Sequence, residues 1–292
     1  MRGVLSAGMT LALESLGTRL AFDCVYGASA GSLMGAYFIS GQAALAPSIY
    51  FQDLPNRRFI SRKRVIGPRP ILDLDYLVDH VIENVKPLDW DAVLDAPIEL
   101  HVLTTDVSNG VPLDLTGFQQ RADLKEAMRA SARLPGLAGP PVLINGVPCY
   151  DAGLTDSLAF RSALRGGATH VLALKTRVDG GAPVPLSRGQ EWAMARLLRV
   201  PPAAVKLVSA RPALYAQETT ELQQLAAGSD PQGRQVFAVG PQPTDPTIGR
   251  LGRNRAELEA GAKVGIEAVF RTIGRPVAHL YDVLRPYWHP PT

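Results

Sequence analysis

The sequence has little of several features that mark particular classes of protein. Only two of its 292 residues are cysteine, Cys24 and Cys149, which is too few for a disulfide framework, so we expect reduced thiols in apolar surroundings. The formal net charge of +3 excludes the strong basic excess of a typical nucleic-acid-binding domain. No stretch reaches 18 uninterrupted apolar residues, so no transmembrane helix is predicted. We therefore expect a cytoplasmic protein without a nucleic-acid partner.

The composition is that of a globular protein, because 46% of the residues are hydrophobic and 20% are charged. Segments with strand character alternate with segments of helical pattern, which predicts an α/β fold with a mostly parallel central sheet flanked by helices. The pair Asn145-Gly146 predicts a hairpin turn. The predicted strands are 22–26, 97–105, 140–150, 169–175 and 235–239, and the predicted helices are 4–16 (amphipathic), 32–40, 74–85, 124–132, 189–227 (interrupted by prolines) and 256–272.

One serine lies in a motif that is typical of nucleophiles. Gly27, Ser29 and Gly31 form G-x-S-x-G between a predicted strand and a predicted helix, where a sharp turn would expose the serine hydroxyl at a helix N-terminus. The same residues also suit a glycine-lined turn with a helix-capping serine. From the motif alone, both interpretations stay open.

A serine nucleophile needs a base, and histidine is scarce in this sequence. An ordinary α/β-hydrolase supplies a serine, an acid and a histidine in that order. None of the histidines falls in a clear catalytic-loop context, so each is interpreted as an ordinary surface or core residue. Ser29 also follows only one predicted strand, which is early for that fold. The five histidines are His80, His101, His170, His279 and His289.

Three stretches together resemble the patatin-like phospholipase family: YGASAGSLMGAY from Tyr26, RASARLPG from Arg129, and YDAG from Tyr150. The resemblance covers most of the chain. It implies a patatin-like catalytic core at 1–175, with 176–292 completing the same domain. It also implies a dyad in which Ser29 is the nucleophile and Asp151 is the base, with Gly153 as a motif glycine. Lipid acyl esters would be the substrates, and no metal or cofactor would be required.

The family's oxyanion hole is a glycine-rich loop of the form G-G-G-x-R-G, and this chain begins Met1-Arg2-Gly3, which aligns with the end of that loop. We expect the true start to lie upstream. Two alternatives are a weakly active relative and partial substitution by Gly3 and the Ala30 N–H. Arg2 would support the loop in the family, whereas a solvated N-terminus is the expectation for the chain as given.

Several further features carry expectations. Ala152 replaces the glycine that usually follows the family's aspartate, which would cause strain only if the position has a positive φ. The basic segment 57–69, with Phe51, Phe59 and Ile60 in or near it, could contact anionic lipid headgroups. The competing function is a catalytically inactive lipid-binding or scaffold protein on the same fold. Asp156 is expected to cap a helix, and Asp106 and Asn109 to form a turn.

Overall fold

The computed structural model describes residues 1–67, 69–178, 184–228 and 230–276, except for the side chain of Ile66. His279 and His289, interpreted above as ordinary surface or core residues, lie outside these ranges. Short 3-10 helices are present at Arg19–Ala21, Arg62–Ile66 and Ala152–Leu154. π-Helices are present at Ile49–Asp53 and Tyr76–Val85. The α-helices of these residues are α1 (Gly3–Ser15), α2 (Ala30–Ile39), α3 (Ala46–Ser48), α4 (Trp90–Leu94), α5 (Arg121–Ser131), α6 (Phe160–Arg165), α7 (Arg188–Arg196), α8 (Pro202–Ala226) and α9 (Arg255–Thr272).

The strands form two sheets with helices packed around them, which confirms the predicted class of a central sheet flanked by helices. Among the described residues, five strands make the larger sheet and two make a smaller parallel one. The larger sheet contains β1 (Cys24–Ala28), β2 (Glu99–Asp106), β3 (Val111–Leu115), β4 (Val142–Ile144) and β5 (Val147–Asp151), and the smaller contains β6 (His170–Leu174) and β7 (Gln235–Val239).

The expectation of a mostly parallel sheet is wrong. Among the described residues, β1–β2 and β6–β7 pair in parallel, whereas β2–β3, β2–β5 and β4–β5 are antiparallel. Short connections explain two of these antiparallel pairings, because β2 and β3 are joined by four residues and β4 and β5 by two, and strands joined so closely can pair only in opposite directions. Asn145 and Gly146 form one such turn, with φ of 50° and 81°, as the sequence predicts for a hairpin.

The first helix is a core element and is not amphipathic as expected. Every residue of α1 from Gly3 to Leu13 is buried, because α9 packs along it with the two backbones almost in contact. A Cβ on Gly8 would lie 2.1 Å from the Ala262 carbonyl oxygen, and a Cβ on Gly265 would lie 2.1 Å from the Leu5 carbonyl oxygen. Glycine at both positions is therefore needed for this close approach.

The N-terminal and C-terminal parts of the chain contribute to the same hydrophobic cluster. Val4 and Met9 of α1 share it with Val239 of β7 and Ile266 of α9. The division of the chain at residue 175 stays a prediction. Among the described residues, none of the helices combines the length and the hydropathy needed to span a bilayer.

The region 189–227, predicted to be helical with interruptions at its prolines, follows this prediction only in part. α7 ends before Pro201-Pro202, as expected, and Pro202 starts α8 at a position where its missing N–H costs nothing. Pro212, however, lies inside the 25-residue α8 without ending it. The buried side chains of Tyr215, Glu218 and Leu222 hold the helix against the rest of the protein past this point.

Candidate active site

Ser29 lies in a strained turn between β1 and α2. Its φ of 56° and ψ of −122° are rarely adopted by a residue with a side chain, and such strain concentrates at functional sites. A Cβ on Gly27 would lie 2.3 Å from Ser32 Cα, whereas a Cβ on Gly31 would meet open space. The first glycine of the motif is thus required by the turn, and the second leaves room beside the serine.

Hydrogen bonds from both sides hold this turn. The Ser29 N–H donates to Ser131 Oγ at 2.8 Å, and the Ser32 hydroxyl donates to the Ser29 carbonyl at 2.7 Å. The Ser29 side chain makes no capping hydrogen bond to α2. The alternative of a helix-capping serine therefore has no support in the geometry, and the hydroxyl is free for another role.

Asp151 ends β5 and is only 2% exposed. Its backbone is anchored, because its N–H donates to the Arg133 carbonyl and its own carbonyl accepts from the Thr105 hydroxyl, both at 2.9 Å. Its Oδ1 accepts the Gly153 N–H at 2.9 Å, which is the local turn contact that a lone Asp before glycine usually makes. Its Oδ2 is buried and has no hydrogen-bond partner among the described residues.

The register of the large sheet brings the serine and the aspartate together. Leu103 of β2 pairs with Ala28 and also with Asp114 of β3, and the next residue, Thr104, pairs with Asp151 and Leu113. Since β3 occupies one edge of β2, β1 and β5 must share the other edge, end to end. Ala28 and Asp151 are therefore separated along β2 by a single residue rise of about 3.3 Å, and Ser29 follows Ala28 directly.

The residues after Asp151 explain the departure from the family's aspartate motif. Ala152 does not have a positive φ, so alanine there is unstrained. A Cβ on Gly153 would lie 2.8 Å from Asp151 Oδ1 and 2.8 Å from Arg211 Nη2. Glycine is therefore required at the second position, where the carboxylate and a guanidinium crowd the backbone.

The N-termini of α1 and α2 meet beside Ser29. A Cβ on Gly3 would lie 2.6 Å from Ala30 Cβ and 2.3 Å from Tyr50 Oη, so only glycine permits this contact. The first N–H groups of a helix lack partners inside the helix and carry partial positive charge. Arg2 is half-buried at this junction, and the expectation of a solvated N-terminus is wrong.

A cavity of about 400 Å³ joins these elements. Its walls are largely apolar, with side chains such as Leu33, Phe38, Leu54, Phe59 and Phe160. Of the predicted site residues, all but Gly27 line this cavity: Arg2, Gly3, Ser29, Ala30, Gly31, Asp151 and Gly153.

Of the three histidines among the described residues, only one lines the cavity. His101 stacks on Tyr26 with ring centroids 4.0 Å apart, and His80 contacts the Tyr76 ring. His170 does line the cavity; its ring is exposed and contacts the Thr169 hydroxyl at 3.1 Å.

Sequence reasoning missed three residues of this site. Ser131, which accepts the Ser29 N–H, lies inside a stretch that resembles the family, and that stretch could have drawn attention to it. Arg211 and Arg250 line the cavity but come from distant parts of the chain, and no local pattern marks them.

Comparison with known families agrees with this geometry. The family model described as patatin-like phospholipase matches residues 1–164. The chain belongs to the patatin-like phospholipase family.

Two curated relatives of this family member match over shorter stretches. The uncharacterized protein YjjU of Escherichia coli (strain K12) is 25% identical over 158 residues, which is 53% of this chain and 43% of that protein. The human patatin-like phospholipase domain-containing protein 2 is 29% identical over 137 residues, which is 46% of this chain and 26% of that protein. The matched stretch thus covers less than half of the length of either relative.

Two buried carboxylates support the segment that follows Asp151. Asp156 accepts the N–H groups of Ala159 and Ser162, both at 3.0 Å, and so caps α6 as predicted. Glu218 of α8 accepts the Ser157 N–H at 3.1 Å. Burial, followed by repulsion from Asp156, raises the pKa of Glu218 to about 7, against the lowering effect of Arg161 and Arg211.

This raised pKa predicts a pH-dependent stability. Between pH 4.5 and about 7 the folded protein retains a proton on Glu218 that the unfolded chain releases, so the contribution of this group falls as the pH rises. We expect the Glu218→Gln variant, which stays neutral, to lose roughly 2 kcal/mol less unfolding free energy than the wild type between pH 5 and pH 8. Urea unfolding at several pH values measures this.

The matched control for this prediction is Glu257→Gln, which changes an exposed carboxylate at the start of α9. It should follow the wild-type pH dependence. The same pH dependence in Glu218→Gln and the wild type would show that Glu218 is not the group that titrates.

Proposed function

We propose that this protein is a serine acyl-hydrolase that cleaves lipid acyl esters through Ser29 and Asp151. The observation that carries the proposal is the end-to-end arrangement of β1 and β5 on one edge of β2. Ser29, which is strained, and Asp151, whose buried Oδ2 has no hydrogen-bond partner within the described part of the chain, line the same apolar cavity. Its chemistry needs neither a metal nor a cofactor.

In the proposed reaction, Asp151 acts first as a general base and then as a general acid. Its Oδ2 accepts the Ser29 hydroxyl proton while Oγ attacks the ester carbonyl carbon. The tetrahedral intermediate collapses, the proton passes to the leaving alcohol, and an acyl-serine remains. Asp151 then takes a proton from water, the hydroxide oxygen attacks the acyl carbon, and the fatty acid leaves as the proton returns to Ser29.

The developing oxyanion needs donors that are already in place. We assign this role to the Ala30 N–H, at the start of α2, with support from Gly3 and Arg2 at the adjoining start of α1. Removing one such donor typically costs a factor of 100 to 1000 in rate.

The apolar walls of the cavity favour a substrate whose acyl chain lies in the cavity while its ester group lies at Ser29. An apolar pocket with a few convergent polar groups is the usual form of such a site. The runner-up function, a catalytically inactive lipid-binding protein, would use the same walls without turnover. Measurement of hydrolysis separates the two functions.

The first test is hydrolysis of a fatty-acyl ester by the wild type, Ser29→Ala and Asp151→Asn. Each variant should lower kcat by about a thousandfold or more, because the two groups act in the same step. His170→Gln serves as the matched control, since it changes a cavity residue that has no role in the proposed reaction, and it should keep the wild-type rate.

Circular dichroism and thermal unfolding establish that each variant is folded. A shared background rate in the wild type, Ser29→Ala and Asp151→Asn would exclude the hydrolase and favour the inactive lipid-binding protein. Loss of activity in His170→Gln would replace the Ser-Asp pair by a histidine-dependent reaction.

We further propose that the basic segment 57–69 contacts anionic membranes at the periphery. Its residues Arg57, Arg58, Arg62, Lys63 and Arg69 are exposed. The apolar residues in or near this segment do not face lipid, because Phe51, Phe59 and Ile60 are all buried. Phe59 instead lines the cavity, so this basic surface borders the proposed site.

Vesicle co-sedimentation tests the membrane proposal. Because each basic residue near an anionic surface contributes about 1 kcal/mol, the triple variant Arg57→Gln/Arg62→Gln/Lys63→Gln should bind phosphatidylserine-containing vesicles about a hundredfold more weakly. The control Arg188→Gln/Arg196→Gln/Lys206→Gln removes the same charge from exposed positions elsewhere and should bind as the wild type does. Equal weakening in both variants would contradict a role for this segment.

A further inference from the structure

Several arginines converge on the cavity from separate parts of the chain. Arg2 precedes α1, Arg211 lies in α8, and Arg250 lies in the turn before α9; all three line the cavity together with Ser29 and Asp151. Arg177, which follows β6, stacks over the Tyr215 ring at 5.3 Å and adds its charge to the group. Only Arg2 falls within the residues matched by the family model, which end at 164.

Three of these arginines have no ion-pair partner among the described residues. Within the described part of the chain, Arg2, Arg211 and Arg250 form no salt bridge. Burial, and then the neighbouring guanidinium groups, lowers the pKa of Arg2 to about 9 and that of Arg250 to about 10. Arg2 and Arg250 are thus still cations at neutral pH in a partly desolvated site.

Two of these guanidinium groups are fixed near the proposed reaction centre. The Arg211 Nε donates to the Gly153 carbonyl at 2.6 Å, and its Nη2 shares the space above Gly153 with Asp151 Oδ1. Arg250 lines the same cavity as Asp151. An anion bound by these groups would therefore lie beside the ester that Ser29 attacks.

We propose that Arg211 and Arg250, with Arg2 beside them, bind a phosphate group carried by the substrate, so that the protein prefers acyl esters with an unsubstituted phosphate. This inference rests on the proposed function. A phosphomonoester carries nearly two negative charges at neutral pH and offers three acceptor oxygens, which suits several guanidinium groups better than the single charge of a carboxylate. A headgroup with an ammonium ion would place a cation among the arginines.

Three substrates with the same acyl chain test this preference: an acylglycerol phosphate, the corresponding acylglycerophosphocholine and the neutral monoacylglycerol. We expect the wild type to have at least a tenfold higher kcat/KM for the phosphomonoester than for either alternative. Arg250→Gln should lower the ratio between phosphomonoester and neutral ester by tenfold or more, and Arg250→Lys should restore part of it. Arg196→Gln, an exposed arginine outside the cavity, should keep the wild-type ratio.

Binding to the Ser29→Ala variant provides a readout that does not need turnover. By calorimetry, the acylglycerol phosphate should bind more tightly than the acylglycerophosphocholine, and inorganic phosphate should compete with it. The double variant Ser29→Ala/Arg250→Gln should bind the phosphomonoester at least tenfold more weakly. Competition by inorganic phosphate without any preference among the lipids would mean that the site binds free phosphate and does not select the substrate, which overturns the proposal.

The two proposals fail in different ways. If the wild type hydrolyses none of the three esters, the proposed function fails, while the binding comparison still decides whether the arginines recognise phosphate. If all three esters are hydrolysed with similar kcat/KM and Arg250→Gln leaves their ratio unchanged, the hydrolase stands and the phosphate subsite is wrong.

Discussion

The site depends on one constraint in the sheet, namely that β1 and β5 share a single edge of β2. Leu103 and Thr104 are neighbours along β2, and they pair with Ala28 and Asp151. Neither strand can extend further without running into the other. The chain must therefore turn away at Ser29, and Asp151 must end its own strand at the same point. The backbone strain at Ser29 arises where these two strand ends meet. Asp151 Oδ2, which has no hydrogen-bond partner among the described residues, lies at the same point.

The packing around this junction explains why small residues accumulate there. Gly27 lets the chain fold back onto Ser32, Gly3 lets α1 meet α2, and Gly153 makes room for a guanidinium. Farther away, Gly8 and Gly265 hold α1 and α9 in backbone contact, so the C-terminal part of the chain fixes the helix whose start borders the site. A substitution far from Ser29 in sequence can therefore move the residues beside it.

Local sequence patterns predicted many of the residues that line the candidate site, but they predicted fewer of the strand pairings in the sheet. The serine motif, the aspartate and the Asn145-Gly146 turn are short-range features, and each lies where its pattern indicates. The antiparallel pairing of β2 with β5 and the burial of α1 from Gly3 to Leu13 depend on partners distant in sequence. No local pattern marks Arg211 or Arg250 for the same reason. Only folding brings them to the cavity that Asp151 lines.

The most direct test of the account is the chemical identity of the nucleophile and its base. A fluorophosphonate probe with an alkyl chain, followed by peptide mass spectrometry, locates the serine that reacts. If Ser29 is the nucleophile and Asp151 its base, we expect a phosphonyl adduct on Ser29. It should form much more slowly in Asp151→Asn and at the wild-type rate in His170→Gln. An adduct on another residue, no adduct at Ser29, or equal labelling of wild type and Asp151→Asn would contradict the Ser29–Asp151 pair.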